Sequence, residues 1–343
     1  MEPVPGGERD GGGWLADQLA KPHRLAAVLL LAAVLSVGAV LGVASTVGLG
    51  RVWRQFLHPH WIWVPVALAC EVVAYLGYTL AYREVARAER GAELDMPKAA
   101  VLVTTGFGVF VEGGGFALDR AALERAGLSE REARARVLGL GSLEYALLAP
   151  ATAVAALYVL LFHPSLNTGM TVPWIVGVPL GAVLALLLLR QRARFRRRGW
   201  RMHLYDNLQA ITLLLRLFKR WRLAFCAFFG IAVYWVGDIA CLWAALHVFY
   251  AHTPPFAQLL VGYASGYALT RRALPLGGAG IVETLLPFSL GWIGIARVPS
   301  ILGVGAYRAI NLWLPMLPAL AGVPSVRRIR PARGKRRVAR QNT

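Results

Sequence analysis

Two glycine-broken stretches of this sequence place charged side chains inside otherwise apolar runs. The first, FGVFVEGGGFALDR, contains Glu112, Gly113, Gly114, Asp119 and Arg120; the second, RRALPLGGAGIVETLLPF, contains Arg271, Arg272, Gly277, Gly278, Gly280 and Glu283. Glycines let a backbone turn tightly, but the freed N–H and C=O groups are tolerated in a membrane only against protein or a wet cavity. Helix ends that face such a cavity carry partial charges suited to ions or lipid headgroups. Paired broken segments of this kind are typical of a transporter's binding site.

Other charged residues lie within apolar runs, where an ion costs ~2.5–3.5 kcal/mol on insertion scales. Arg308 is near the middle of the last run, and Glu144 lies roughly 10 Å along a helix that begins its apolar part at Val137. Such residues either pair as structural links between helices or contact a substrate. The positions favour function for Glu283 and Arg308, leave both roles open for Glu112, and make Glu144 a further candidate for substrate binding. For Glu71 and Asp238, the structural role is favoured.

The composition indicates a helical membrane protein. Of the 343 residues, 57% are hydrophobic and only 16% are charged, and several apolar runs approach the ~20 residues that cross hydrocarbon. The expected fold class is an all-α polytopic membrane protein with about six to eight transmembrane helices, one or two glycine-broken re-entrant segments and an inverted repeat. The predicted spans are residues 25–49, 61–82, 137–162, 172–189, 223–250 and 300–320.

The positive charge clusters beside the ends of apolar runs. The net charge is +19, with seven arginines from Arg190 to Arg201 and eight Lys or Arg from Arg327 to Arg340. Such clusters orient membrane proteins and contact anionic phospholipid headgroups, so they do not indicate a nucleic-acid partner. They predict a multi-pass protein of the plasma (inner) membrane with both termini cytoplasmic. The predicted organisation is a glycine-rich mobile tail of mixed charge (1–20), a membrane domain (21–325) and a basic cytoplasmic tail (326–343).

Four local predictions complete the organisation. The segment GRVWRQFLHPH is interpreted as a short loop, and AALERAGLSEREARAR as a polar helix. The segment HLYDNLQAITLLLRLFKRW has the periodicity of an interfacial amphipathic helix. Residues 256–270 and 281–295 form either two thin crossings or one hairpin that enters from outside; charge counting cannot decide, because both preserve the parity of the last span.

The sequence contains no recognisable catalytic or metal motif. The three cysteines lie in apolar runs, and the histidines have no metal-ligand spacing beyond an isolated His-Pro-His. Nucleophile-elbow and phosphate-loop motifs are not present either. The protein is therefore expected not to be an enzyme and to need no metal or cofactor.

The run LPLGGAGIVETLLPFSLGWIGIARVPSILGVGAYRAINLWLPMLPALAG resembles the transmembrane region of lysylphosphatidylglycerol synthases and its stand-alone flippase-like relatives. Residues that fall on the family's C-terminal pattern are Pro275, Gly277, Gly278, Gly280, Glu283, Tyr307, Arg308, Trp313 and Pro315. The span pattern extends the resemblance over roughly residues 20–325. The first broken segment differs, because its acid precedes the glycines and it lacks the family's proline. The resemblance thus supports a role for Glu283 more than one for Glu112.

The resemblance implies a membrane protein that moves a polar or charged lipid between leaflets. The better-known synthases add an aminoacyl-transferase domain after these spans, whereas here a basic tail follows, so lipid lysylation by this chain is not expected. An ion- or proton-coupled small-molecule transporter and a non-transporting membrane partner of a separate lipid-modifying enzyme are the alternatives. Glycine-rich helix faces would also permit a homodimer.

Overall fold

The computed structural model describes residues 22–108, 115–162, 168–191, 200–217, 219–249, 252–268 and 275–318. Within these ranges the chain is helical and has no strand. Five helices are long and apolar enough to cross a membrane, which confirms the expected class of helical membrane protein. Of the predicted mobile tail, membrane domain and basic tail, residues 1–21 and 319–343 lie outside the described residues.

The five long helices are separated and followed by shorter ones. The long helices are α1 (Pro22–Ser45), α3 (Trp63–Arg87), α6 (Glu130–Phe162), α7 (Thr168–Arg190) and α9 (Trp221–Val248). The shorter helices are α2 (Leu49–Phe56), α4 (Met96–Gly108), α5 (Gly115–Arg125), α8 (Trp200–Leu217), α10 (Phe256–Tyr263), α11 (Val282–Trp292) and α12 (Arg297–Arg308). Large apolar side chains of α1 and α7, such as Leu30 and Leu180, point away from the protein, as lipid-facing residues do.

Helices α3 and α9 form the most extensive helix pair among the described residues. They run antiparallel, because Gly77 faces Gly230 while Gly237 faces the earlier residue Cys70. A Cβ atom added at Gly230 would lie 2.6 Å from the carbonyl oxygen of Gly77, which is closer than atoms can approach. Glycine at both positions therefore brings the two backbones into contact, as small residues do between membrane helices.

Two of the local predictions are wrong in detail. The predicted loop after the first span contains helix α2, Leu49–Phe56. The predicted single polar helix is two helices, α5 and α6, separated at Gly127, which has φ +97°. Ser129 and Glu132 form a capping box at the second of these: the Glu132 carboxylate accepts the Ser129 N–H at 2.9 Å, and the Glu132 N–H bonds the Ser129 hydroxyl at 3.4 Å. The cap satisfies N–H groups that the first turn would otherwise leave free.

Short and irregular helices occupy the part of the chain that contains the second broken stretch. Helix α10 continues as a π-helical segment, Ala264–Ala268, and α12 continues as another, Ala309–Trp313. Helix α11 has 11 residues, so at 1.5 Å per residue it is roughly 16 Å long, about half the thickness of a hydrocarbon core. The predicted interfacial helix is present as α8, but its position relative to a membrane remains a prediction.

Candidate functional site

The second broken stretch contains a tight turn that ends where helix α11 begins. A short 3₁₀ turn spans Pro275–Gly278, and φ is positive at Leu276 (59°), Gly277 (60°), Gly278 (70°) and Gly280 (83°). Glycine adopts these angles without steric cost, whereas Leu276 is held in a conformation that non-glycine residues rarely adopt. The turn is followed by α11, and Glu283 lies in the first turn of that helix.

Glu283 and Arg308 form a buried ion pair beside this turn. The Arg308 Nε donates to Glu283 Oε1 at 2.9 Å, and the exposed fraction is 2% for each residue. Arg308 also donates through Nη2 to the carbonyl oxygen of Gly277 at 2.9 Å. Glu283 Oε2 accepts the backbone N–H of Gly280 at 2.8 Å. We call Ser36, Gly277, Gly280, Glu283 and Arg308 the Glu283–Arg308 cluster.

Helix α1 closes this cluster on another side. The Ser36 hydroxyl donates to Glu283 Oε1 at 2.9 Å, so this oxygen accepts from both Ser36 and Arg308. A Cβ atom at Gly280 would lie 3.3 Å from the carbonyl oxygen of Leu35, so the turn approaches the α1 backbone closely. The Glu283 carboxylate accepts a backbone N–H at the break, and the Arg308 guanidinium donates to a backbone carbonyl there. Backbone groups left without a hydrogen bond in a membrane would each cost several kcal/mol.

A second buried polar group, the Asp238 network, lies between α3, α9, α10 and α12. Its members are Glu71, Asp238, Tyr263, Tyr267, Tyr307 and Asn311. Asp238 accepts hydrogen bonds from the hydroxyl of Tyr263, the hydroxyl of Tyr307 at 3.0 Å and the amide of Asn311 at 2.6 Å. The side chain of Asp238 is fully buried.

Asn311 bridges the two acids of this network. Its Nδ2 donates to Asp238 Oδ1 at 2.6 Å and to Glu71 Oε1 at 2.9 Å, while its Oδ1 accepts the Tyr267 hydroxyl at 2.8 Å. Asn311 and Tyr267 both lie in π-helical segments, which are rare and often occur at functional sites. One amide thus joins two acids from different long helices, α3 and α9.

The structure brings together some of the sequence-predicted site residues and separates others. Glu283, Arg308, Gly277 and Gly280 form one cluster, and Gly278 belongs to the same turn. Glu144 instead accepts the Tyr78 hydroxyl at 2.8 Å, and its carbonyl oxygen accepts the Trp235 indole N–H at 3.1 Å. These contacts join α6 to α3 and α9 without involving the cluster.

The described residues of the first broken stretch lie at its helical end. Asp119 is buried against α4, with its Oδ1 3.1 Å from where a Cβ of Gly106 would be. Arg120 forms partly exposed ion pairs with Glu124 at 3.5 Å and Glu130 at 3.4 Å. The substrate roles of Asp119, Arg120 and Glu144 stay predictions. Glu112, Gly113, Gly114, Arg271 and Arg272 lie outside the described residues.

Sequence reasoning did not identify Ser36, Tyr263, Tyr267 or Asn311 as site residues. A serine in an apolar helix carries no signal, because serine often bonds its own helix. The sequence around Asn311 does contain a signal. Asn311 follows Tyr307 by four positions and therefore lies on the same face of the last helix. A polar amide on that face was a detectable sign that the face is not lipid-exposed.

Comparison with known proteins adds no family to these observations: no protein-family model matches the chain, and no curated protein matches its sequence.

Proposed function

We propose that this protein is a flippase-like transporter that moves a polar or charged lipid between the two leaflets of the plasma membrane. The observation that carries the proposal is the ion pair of Glu283 and Arg308, buried to 2% exposure and bonded to a broken backbone at Gly277 and Gly280. A lipid headgroup offers a phosphate for an arginine or an amine for a carboxylate. Opening of the pair would present both charges to such a headgroup while the acyl tails remain in lipid.

Short helices on either side of the break support a path at this place. Helix α10 with its π-helical continuation and helix α11 are each too short to cross a membrane alone, and we infer that together they form a re-entrant hairpin. An inverted repeat would make the first broken stretch, which contains Glu112, the counterpart of this hairpin in the other half of the sequence. The resemblance to the transmembrane region of lysylphosphatidylglycerol synthases supports the same function.

A proton-coupled version of this transport is the second candidate. The observation that favours it is the bridge from Asn311 to two buried acids, Glu71 and Asp238. Two carboxylates that share one buried donor repel each other, and a proton bound between them would relieve that repulsion. Transport in proteoliposomes with an imposed pH gradient tests this version. A lipid transport rate that is the same with and without the gradient excludes it.

The proposed function is tested by lipid movement in proteoliposomes. Fluorescent analogues of phosphatidylglycerol, of lysyl-phosphatidylglycerol and of phosphatidylcholine are reconstituted with the full chain, and a membrane-impermeant quencher reports the outer-leaflet fraction over time. We expect faster exchange of a charged lipid than in protein-free vesicles. Glu283→Gln and Arg308→Gln should each abolish the difference. No acceleration for any lipid, or full activity in both variants, would contradict the proposal.

The double variant Glu283→Gln/Arg308→Gln separates transport from folding. Removing one charge of a buried pair costs about 3–5 kcal/mol because the other charge stays unpaired, so either single variant could lose activity through instability. The double variant leaves no unpaired charge and should regain much of the thermal stability. If the charges meet the headgroup, transport stays lost; if they only link helices, transport returns. Asp95→Asn, which removes the carboxylate of an exposed ion pair with Lys98, is the control.

A further inference from the structure

A polar cavity of about 240 Å³ lies between α6, α8 and the end of α3, away from both buried clusters described above. Three arginines line it: Arg131 and Arg136 from the first turns of α6, and Arg216 from the last turn of α8. Its volume exceeds that of a single water, ~30 Å³, several times. The cavity can therefore hold a group as large as a phosphate.

The charges of this cavity do not balance. Its lining contains three arginines and two acids, Glu89 and Glu132, so its formal charge is +1. Both acids already have partners: Glu89 pairs with Arg216 at 3.1 Å, and Glu132 accepts from the Ser129 hydroxyl at 2.8 Å and its N–H at 2.9 Å. With the Glu89–Arg216 pair set aside, Arg131, Arg136 and Glu132 leave the net charge of +1.

Arg136 is the most constrained of the three arginines. It is 4% exposed, and its guanidinium donates to the carbonyl oxygens of Ala86 at 3.2 Å, Ala88 at 2.6 Å and Glu132 at 3.0 Å. Within the described part of the chain it has no ion pair with a carboxylate. Glu132 and Glu89 attract this buried cation without a direct ion pair, and a bound anion would further lower the cost of its burial. Since three of its five N–H groups are used, two remain for a ligand.

We propose that this cavity binds a phosphate group that carries one negative charge. One such group would neutralise the formal +1 of the lining, with Arg131 and Arg216 as its exposed contacts and Arg136 as its buried one. Tyr205 and Gln209 on α8 line the cavity as well and offer neutral hydrogen-bonding groups. A phosphodiester of a lipid headgroup and free inorganic phosphate share this chemistry. The site stands independently of whether the protein moves lipid.

The test measures saturable ligand binding to the full chain in detergent micelles. Phosphatidylglycerol and inorganic phosphate are titrated separately, and thermal unfolding followed by tryptophan fluorescence reports binding, because a ligand of the folded state raises the midpoint. Phosphatidylcholine controls for the lipid titration, and chloride at equal ionic strength controls for the phosphate titration. Arg131→Gln and Arg216→Gln should each weaken binding roughly tenfold, the effect of losing one charge-assisted hydrogen bond.

Arg134→Gln is the matched control. Arg134 lies on the same turns of α6 but pairs with Asp206 at 3.1 Å and does not line the cavity. Binding of phosphatidylglycerol that weakens in Arg131→Gln and Arg216→Gln but not in Arg134→Gln supports the site with a lipid source. The same pattern with inorganic phosphate supports a soluble source. If neither probe binds saturably, or if Arg134→Gln weakens binding equally, the proposal is overturned.

Discussion

Tyr307 and Arg308 are consecutive residues of α12, yet their side chains bond to two different buried carboxylates. The Tyr307 hydroxyl donates to Asp238 at 3.0 Å, and the Arg308 Nε donates to Glu283 at 2.9 Å. Their Cα atoms are only ~3.8 Å apart, as in any trans peptide. A shift of this part of α12 would therefore strain both contacts together. The Asp238 network and the Glu283–Arg308 cluster are thus joined through the backbone of one helix.

Tyr307→Phe should destabilise the protein by about 1–2 kcal/mol, because it removes one donor from the fully buried Asp238. Reversible unfolding in lipid–detergent mixtures with increasing sodium dodecyl sulfate measures the change. Tyr158→Phe is the control, because Tyr158 is 46% exposed and does not belong to the Asp238 network. An equal cost at the two positions would show that the bond to Asp238 contributes nothing specific.

Asn311→Leu should cost more than Tyr307→Phe, since it removes the amide that both Glu71 and Asp238 share. The two acids would then face each other without their common donor, and their repulsion would add to the lost hydrogen bonds. Adding Glu71→Gln should restore part of the stability, because neutralising one acid removes the repulsion. The same unfolding measurement on the two single variants and the double variant checks this. Purely additive costs would contradict a shared bridge.

The fold class could be predicted from the sequence because lipid imposes a simple rule. Long apolar runs must form helices that satisfy their own backbone groups, and five such helices appear near the predicted spans. Segment boundaries outside the apolar runs were predicted less well. The eight residues of α2 mix polar and apolar types, so their sequence does not distinguish a helix from a loop. The division between α5 and α6 depends on one glycine with positive φ, Gly127.

The site could be predicted only in part. A charged residue in an apolar run is recognisable from the sequence, but the residue with which it pairs is not. Glu283 and Arg308 stood out as intramembrane charges, and the structure pairs them. By the same sequence criterion Arg308 could have paired with Glu71, Asp238 or Glu144. Which acid it meets depends on how α12 packs against α11 and α1, and that is a property of the three-dimensional structure.

Gly230→Ala should destabilise the α3–α9 pair by about 1–3 kcal/mol, the usual cost of overpacking. The new Cβ would lie 2.6 Å from the Gly77 carbonyl oxygen, so the two helices would have to separate. Gly42→Ala on α1 is the control, because no atom lies within 4 Å of a Cβ there and alanine favours a helix. The sodium dodecyl sulfate unfolding curve of each variant measures the effect. Equal stability of the two variants would contradict a close backbone contact.

Gly280→Ala should impair both stability and lipid movement, whereas Gly294→Ala should impair stability alone. Both glycines have positive φ, +83° and +94°, so alanine costs roughly 1–2 kcal/mol at either position. Only Gly280 also approaches α1: its Cβ would lie 3.3 Å from the Leu35 carbonyl oxygen, while nothing lies within 4 Å at Gly294. The substitution would push the turn away from α1 and lengthen the bond from the Gly280 N–H to Glu283. Unfolding and proteoliposome exchange are measured on both variants, and equal exchange rates at matched stability would remove the turn from the proposed path.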